Sequence, residues 1–299
     1  MRESRPAARR GTVRKGETAV GATAEPRDNQ LMSILDFWVN RVSAAVRSAA
    51  EVGTLPAASH RPWPLPEDPW IMMQTWENLL FAHWPLPAAT LRPLVPEELH
   101  LETFDGSAWL AVTPFVIGEL RPRALPAIPG LSRFPEINVR TYVRVGDKPG
   151  VFFFSLDAGS QLAVTAARRL YKLPYHPAQF EIEERDGWFH YACRRTGGGT
   201  APAECHVSYR SRAPVKEPTP GELDHWLTER YCLYAVDRGR RVYCAEIHHK
   251  PWPLQLADAE FRVNTMTAPL GVRLPDIAPL THFARELDVH VWAPHSVEA

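Results

Sequence analysis

A tyrosine and a histidine stand between two prolines at Tyr171–Pro177, which reads Tyr-Lys-Leu-Pro-Tyr-His-Pro. Pro174 and Pro177 restrict the backbone, so Tyr175 and His176 are presented on a stiff turn. His176 titrates near neutral pH and can act as acid or base. Tyr175 can donate a hydrogen bond beside it. Arg168 and Arg169 come just before, and Tyr171 opens the turn. A rigid segment dense in donors and titratable groups suits a small-molecule site; a purely structural Pro-Tyr corner is the competing reading. Tyr175 and His176 are the candidate catalytic pair, with Arg168 and Tyr171 as candidate ligand-binding groups.

A second source of chemistry is Ile137–Arg144 (Ile-Asn-Val-Arg-Thr-Tyr-Val-Arg). In a strand, Asn138, Arg140, Tyr142 and Arg144 share one face, and Ile137, Val139, Thr141 and Val143 share the other. A half-exposed strand explains this pattern. So does a strand whose polar face lines a cavity, where Arg140 would anchor a carboxylate beside Tyr142. Trp84, Trp109 and Trp252 supply material for an apolar pocket, and Trp252 joins the ligand-binding candidates.

His248 and His249 are neighbours in sequence, so on a strand they face opposite ways and one zinc would not readily take both. No metal site is expected. Glu229 and Arg230 are read as an ion bridge or as pocket lining. Cys193, Cys205, Cys232 and Cys244 show no C-x-x-C spacing, which favours buried free thiols over a disulfide or zinc site. There is no G-x-G-x-x-G, P-loop or G-x-S-x-G, so nucleotide binding and serine-hydrolase chemistry lose their usual supports. No cofactor is expected.

The elements that must position these residues are mostly strands. Short apolar or alternating runs begin near Trp70: Gln74–Trp84, Pro96–Leu101, Trp109–Phe115, Arg240–Ile247, Phe261–Asn264 and Val289–Trp292. Asn138–Val145 and Val151–Asp157 flank a Gly-Asp-Lys-Pro-Gly turn, and Phe180–Glu184 and Trp188–Arg194 flank Arg-Asp-Gly, so each pair reads as a hairpin. Helical patterns are few, at Leu162–Leu170 and Pro220–Tyr231. Many strands with a few inserted helices predict a mainly β (α+β) domain, an antiparallel barrel or sandwich.

Residues 1–30 are basic and nearly free of large apolar side chains, which predicts a disordered tail. Over Asp28–Val52, Leu31, Ile34, Leu35, Trp38, Val42, Ala45, Val46 and Ala49 make one helical stripe. That amphipathic helix would pack on the body, on another subunit or on a membrane surface, with protein as the default. Prolines at 56, 62, 64, 66 and 69 predict an extended linker over Leu55–Pro69. The expected division is an extension at 1–66 and a β domain at 67–299.

Lys plus Arg and Asp plus Glu balance at 34 each. No global field favours nucleic acid or an anionic membrane. No apolar run reaches the roughly 18 residues of a membrane span, and the Arg9–Arg10 pair is not followed by an apolar signal core. The expectation is a soluble, cytoplasmic protein whose partner is a small organic molecule. Nucleic-acid and integral membrane partners are not expected; a homo-oligomer is left open.

On these residues a resemblance can be stated. Trp76–Pro87 (WENLLFAHWPLP), Pro135–Arg144 (PEINVRTYVR), Phe153–Ala158 (FFSLDA), Leu227–Tyr234 (LTERYCLY), Ile247–Leu256 (IHHKPWPLQL) and Asn264–Met266 occur in order. Together they resemble the uncharacterised bacterial family DUF2071, whose members are called YqjF-like. Ala166–Ala178 is also similar to the Gly-Arg-x-x-Tyr-Gly-x-Pro-Lys-Lys segment of acetoacetate decarboxylases. That likeness implies their cone-like antiparallel β-barrel enclosing a pocket. Those enzymes use a lysine that forms a Schiff base, its pKa lowered by a second cation. The two lysine positions are occupied here by Tyr175 and His176, neither of which can form an imine. Lys172 and Lys250 are the remaining lysines near the motifs.

Three functions therefore stand as expectations. One is a non-Schiff-base enzyme acting on a small aromatic or keto-acid compound. Another is a non-catalytic ligand-binding or stress-response protein. The third is an interaction module that uses the N-terminal helix.

Overall fold

The computed structural model describes residues 55–127, 132–197 and 201–298. The basic tail and the helix expected over Asp28–Val52 lie outside the described residues. The described strands are β1 (Met72–Pro87), β2 (His100–Leu101), β3 (Ser107–Pro122), β4 (Phe134–Val145), β5 (Lys148–Ala158), β6 (Tyr175–Arg185) and β7 (Trp188–Arg195). They continue with β8 (Glu204–Ser211), β9 (Cys232–Val236), β10 (Val242–His248), β11 (Gln255–Asn264), β12 (Leu280–Val291) and β13 (His295–Val297). Three helices interrupt them: α1 (Ala88–Leu91), α2 (Gln161–Leu170) and α3 (Leu223–Thr228).

The strands form one sheet in the order β13-β10-β9-β5-β6-β7-β8-β11-β12-β1-β3-β4-β2, and β4 also pairs with β5 and β10 with β12. Those two extra ladders make the hydrogen-bonded pairings return on themselves. Both hairpins read from the sequence form, β4 with β5 and β6 with β7.

The expectation of a purely antiparallel arrangement is corrected at β5, which pairs in parallel with both β6 and β9. A parallel neighbour requires a long crossover, and α2 supplies it between β5 and β6. Gly150 permits the close approach to β9: a Cβ there would fall 2.7 Å from the Cys232 carbonyl oxygen.

Side-chain alternation divides the core between two faces. Leu80, Ala82, Trp84, Ile137, Val139 and Val143 join one apolar cluster. Leu79, Phe81, Tyr142, Phe153, Leu173 and Trp252 belong to the other. Asn78 has a positive φ of 51°, and the β1–β3 register shifts between Glu77 and Ala82. This irregularity bends β1 just before the residues that matter below.

The stretch Leu55–Pro69 is packed against β10 and is not a free linker. Arg61 is buried; its Nη2 lies 2.9 Å from Glu246 Oε2, and Trp63 Nε1 donates to the same oxygen at 2.9 Å. Trp292 Nε1 donates to the Asp68 carbonyl at 2.6 Å. The segment turns at Ala58–Arg61, where the Arg61 N–H donates to the Ala58 carbonyl at 3.0 Å, and Arg61 and Trp63 fasten it.

Candidate functional site

Along β4, Glu136, Asn138, Arg140 and Tyr142 occupy one face and are all buried. Ile137, Val139, Thr141 and Val143 on the other face are fully buried too. The half-exposed alternative is thereby excluded for 136–143. Arg144 reaches the exposed end, where Nη1 donates to the Gly146 carbonyl at 2.7 Å. Ladder pairing sets Phe153 and Ala111 beside Arg140, and His83 beside Ala111.

The structure brings Arg140, Tyr142 and Trp252 into one cluster. The Arg140 guanidinium carbon lies 5.1 Å from the Phe81 ring centroid and 5.9 Å from that of Tyr142. Phe81 meets Trp252 at 4.8 Å, and Trp252 stacks on Trp76 at 5.8 Å. Tyr142 lies 4.9 Å from Trp226 of α3. The two arginines here differ. Arg230 is buried and ion-paired with Glu102. Arg140 is only 8 % exposed, and its Nε has no partner among the described residues. None of the ion pairs among the described residues includes it. Ring faces contribute about 0.5–2 kcal/mol to such a cation, whereas taking a charge out of water costs several kcal/mol. The rings alone do not balance the burial.

His83 completes the cluster. It is fully buried, and its Nε2 lies 2.7 Å from the Tyr142 hydroxyl. Burial holds its pKa well below the ordinary value, reinforced by Arg140 and His282, so the ring is neutral. Where the Tyr142 hydroxyl donates to Nε2, the proton of the neutral His83 ring is on Nδ1. Burial also pushes the Tyr142 hydroxyl up, against the pull of Arg140 and Arg230. Thr113 Oγ1, Asn138 Oδ1, Trp109 Nε1 and Trp252 Nε1 are also buried without a partner among the described residues. Buried polar atoms are nearly always bonded, so this concentration marks a surface built to meet other polar groups.

The turn residues lie elsewhere on the same wall or off it. Tyr175 Oη donates to Glu136 Oε2 at 3.0 Å, and burial raises the Glu136 carboxyl to about 8. Tyr171 is buried, and its hydroxyl has no partner among the described residues. Register places Tyr175 beside Leu156 and His176 beside Asp157, so alternation sends their side chains to opposite faces. His176 is depressed by burial and lies near Arg195, whose guanidinium holds Asp157 at 2.6 and 2.8 Å. Arg168 is exposed and donates to the Tyr175 carbonyl at 2.7 Å, bracing the turn.

Sequence reasoning missed His83, His282, Phe81 and Asp224. Its available signal was the alternation Leu79, Phe81, His83 in β1, which puts a histidine on an otherwise apolar face. His282 and Asp224 meet only through tertiary structure. Lys172, Lys216 and Lys250 are exposed, and Lys148 pairs with Glu246 at 2.8 Å, so none of these lysines enters the cluster. His248 Nε2 faces the Pro56 carbonyl at 3.1 Å, and His249 stacks on Tyr231 at 4.7 Å. Among the described residues no group of three or more His, Cys, Asp or Glu is placed to hold a metal ion. The four cysteines are buried and free. Surface grooves of about 530 and 400 Å³ lie along β6–β8 and share no residue with the candidate site. Among the described residues no helix is long and apolar enough to cross a membrane.

The fold is that of the acetoacetate decarboxylase-like proteins. An acetoacetate decarboxylase from Legionella pneumophila matches with a TM-score of 0.54 at 10 % identity, over 83 % of this chain and 98 % of that one. The enduracididine biosynthesis enzyme MppR, solved complexed with pyruvate, matches with a TM-score of 0.54 at 11 % identity over the same shares. Within that fold the chain belongs to the DUF2071 family, described as "Uncharacterized conserved protein (COG2071)", which matches residues 73–288. The uncharacterized protein YqjF of Bacillus subtilis is 46 % identical over 231 residues, covering 76 % of this chain and 93 % of YqjF.

Proposed function

We propose that this protein binds a small organic carboxylate, with Arg140 as the anchor, inside the circuit of strands acting as a barrel. The observation that carries the reading is the buried Arg140 guanidinium, which has no carboxylate beside it among the described residues. A ligand carboxylate would supply the missing charge through paired N–H donors. Phe81, Trp252 and Tyr142 would hold an apolar or aromatic body, while Tyr142 and His83 meet a second oxygen on the ligand. Tyr171 and the Glu136–Tyr175 pair form the other end of the wall, where the protonated carboxyl is a proton donor. Arg168 and His176 support the turn in this reading and do not touch ligand. Pyruvate, the ligand of MppR, is a carboxylate with an adjacent carbonyl and fits this chemistry.

The imine route is replaced by hydrogen bonding, since Tyr175 and His176 stand where acetoacetate decarboxylases carry lysines. A thermal-shift comparison tests the reading. Pyruvate, phenylpyruvate and benzoate are set against benzamide and 2-phenylethanol. Acids that raise the midpoint while the neutral analogues do not are the expected result. Equal response to both sets, or to neither, removes the support.

A further inference from the structure

Two buried imidazoles, His83 on β1 and His282 on β12, lie on the sheet face that carries Arg140. His282 is 2 % exposed and pairs across β1–β12 with Phe81, while His83 pairs with Leu280 two residues along. The two histidines are therefore diagonal neighbours on one face, close enough for His282 to act on the charge of His83. From α3, Asp224 Oδ1 lies 3.3 Å from His282 Nε2, with the carboxylate side chain 34 % exposed. The contact is off the hydrogen-bond line and chiefly electrostatic. Neither His282 ring nitrogen has a hydrogen-bond partner among the described residues. The charged and titratable groups around the pair are Arg140 and Tyr142 on β4 and Asp224 on α3, with Lys216 acting on Asp224.

We propose that His282, oriented by Asp224, is a general base that takes a proton from the carbon next to the carbonyl of a bound 2-oxo acid. This rests on the carboxylate-binding reading above. Asp224 is a positioning residue. Its carboxylate favours the tautomer with the proton on Nε2 and leaves the Nδ1 lone pair free. The carbon–hydrogen bond breaks and the new N–H bond forms at Nδ1. The released electron pair makes the carbon–carbon double bond of an enolate, and the carbonyl pair moves onto oxygen. That oxygen is met by the Nδ1–H of His83, with Arg140 holding the neighbouring carboxylate. The imidazolium of His282 is stabilised by Asp224 at Nε2, and the proton on Nδ1 exchanges with water before the enolate carbon is reprotonated. Return of a solvent proton to carbon restores the keto acid, so the cycle balances without a co-reactant.

The test follows deuterium incorporation into pyruvate and phenylpyruvate by proton NMR in deuterated buffer. Binding of the same acids is measured in parallel. The wild type is expected to exchange the α-carbon protons faster than buffer alone. His282→Asn and Asp224→Asn are expected to bind both acids as the wild type does. Exchange should fall by about 100-fold in His282→Asn, and in Asp224→Asn its rise with pH should be displaced. Binding without exchange above buffer, or undiminished exchange in His282→Asn, overturns the base and leaves the binding reading standing. Absence of binding by the wild type overturns both.

Discussion

Tyr142 and His83 form a hydroxyl–imidazole pair 2.7 Å long in the protein interior, with the Arg140 guanidinium carbon 5.9 Å from the Tyr142 ring centroid. The three groups sit on β4 and β1, the two strands that flank β3, on one face of the sheet and among aromatic rings. A polar triad in such a place is costly unless each member is bonded.

The pH dependence of stability should carry the signature of Glu136. Its carboxyl is raised from 4.5 to about 8 by burial. Between those values the folded state holds a proton that the unfolded state has released, so stability falls as pH rises through the window. The contribution is complete below pH 4.5 and gone above about 8. Glu136→Gln keeps an acceptor for Tyr175 and cannot ionise. Urea unfolding at several pH values should show a flatter profile for this variant and a smaller deficit at pH 8. An unchanged slope would mean that Glu136 is ionised in the fold.

Arg61→Ala tests whether the stretch before β1 is integral. The substitution leaves Glu246, 7 % exposed at its side chain, with Lys148 as its remaining ion-pair partner. Loss of one member of a buried pair costs about 3–5 kcal/mol. The chemical-unfolding midpoint should drop accordingly, and adding Glu246→Gln should recover part of the loss. If Arg61→Ala unfolds like the wild type, the stretch is a dispensable linker and a domain boundary at 66 stands.

Imine chemistry should be absent. Incubation with pyruvate and borohydride, followed by intact-mass measurement, should leave the protein mass unchanged. A stoichiometric adduct on one lysine, above the background of a denatured control, would contradict the hydrogen-bonding reading.

Much of the wall was legible because alternation is a local property. Isoleucine, valine and threonine interleaved with Asn138, Arg140 and Tyr142 already defined two faces of β4. Only tertiary packing could show that both faces are buried, which is what separates Arg140 from a surface arginine. The same alternation sends the Tyr175 and His176 side chains to opposite faces, which their nearness in sequence does not reveal. The parallel ladders of β5 depend on α2 and on the approach allowed at Gly150, neither of which has a periodic signature. Asp224 and His282 are far apart in the chain and meet through α3 resting near β12. No spacing rule connects them.

The central claim rests on Arg140, and calorimetric titration of phenylpyruvate into wild type and Arg140→Met tests it most directly. Methionine fills much of the same apolar space without a charge. The wild type should bind saturably, and Arg140→Met should bind about 100-fold more weakly, as expected for loss of a buried charged partner. Relief of the unpaired charge should make that same variant more stable by about 1–2 kcal/mol. Unchanged affinity in Arg140→Met, or no carboxylate binding by the wild type, would contradict the account.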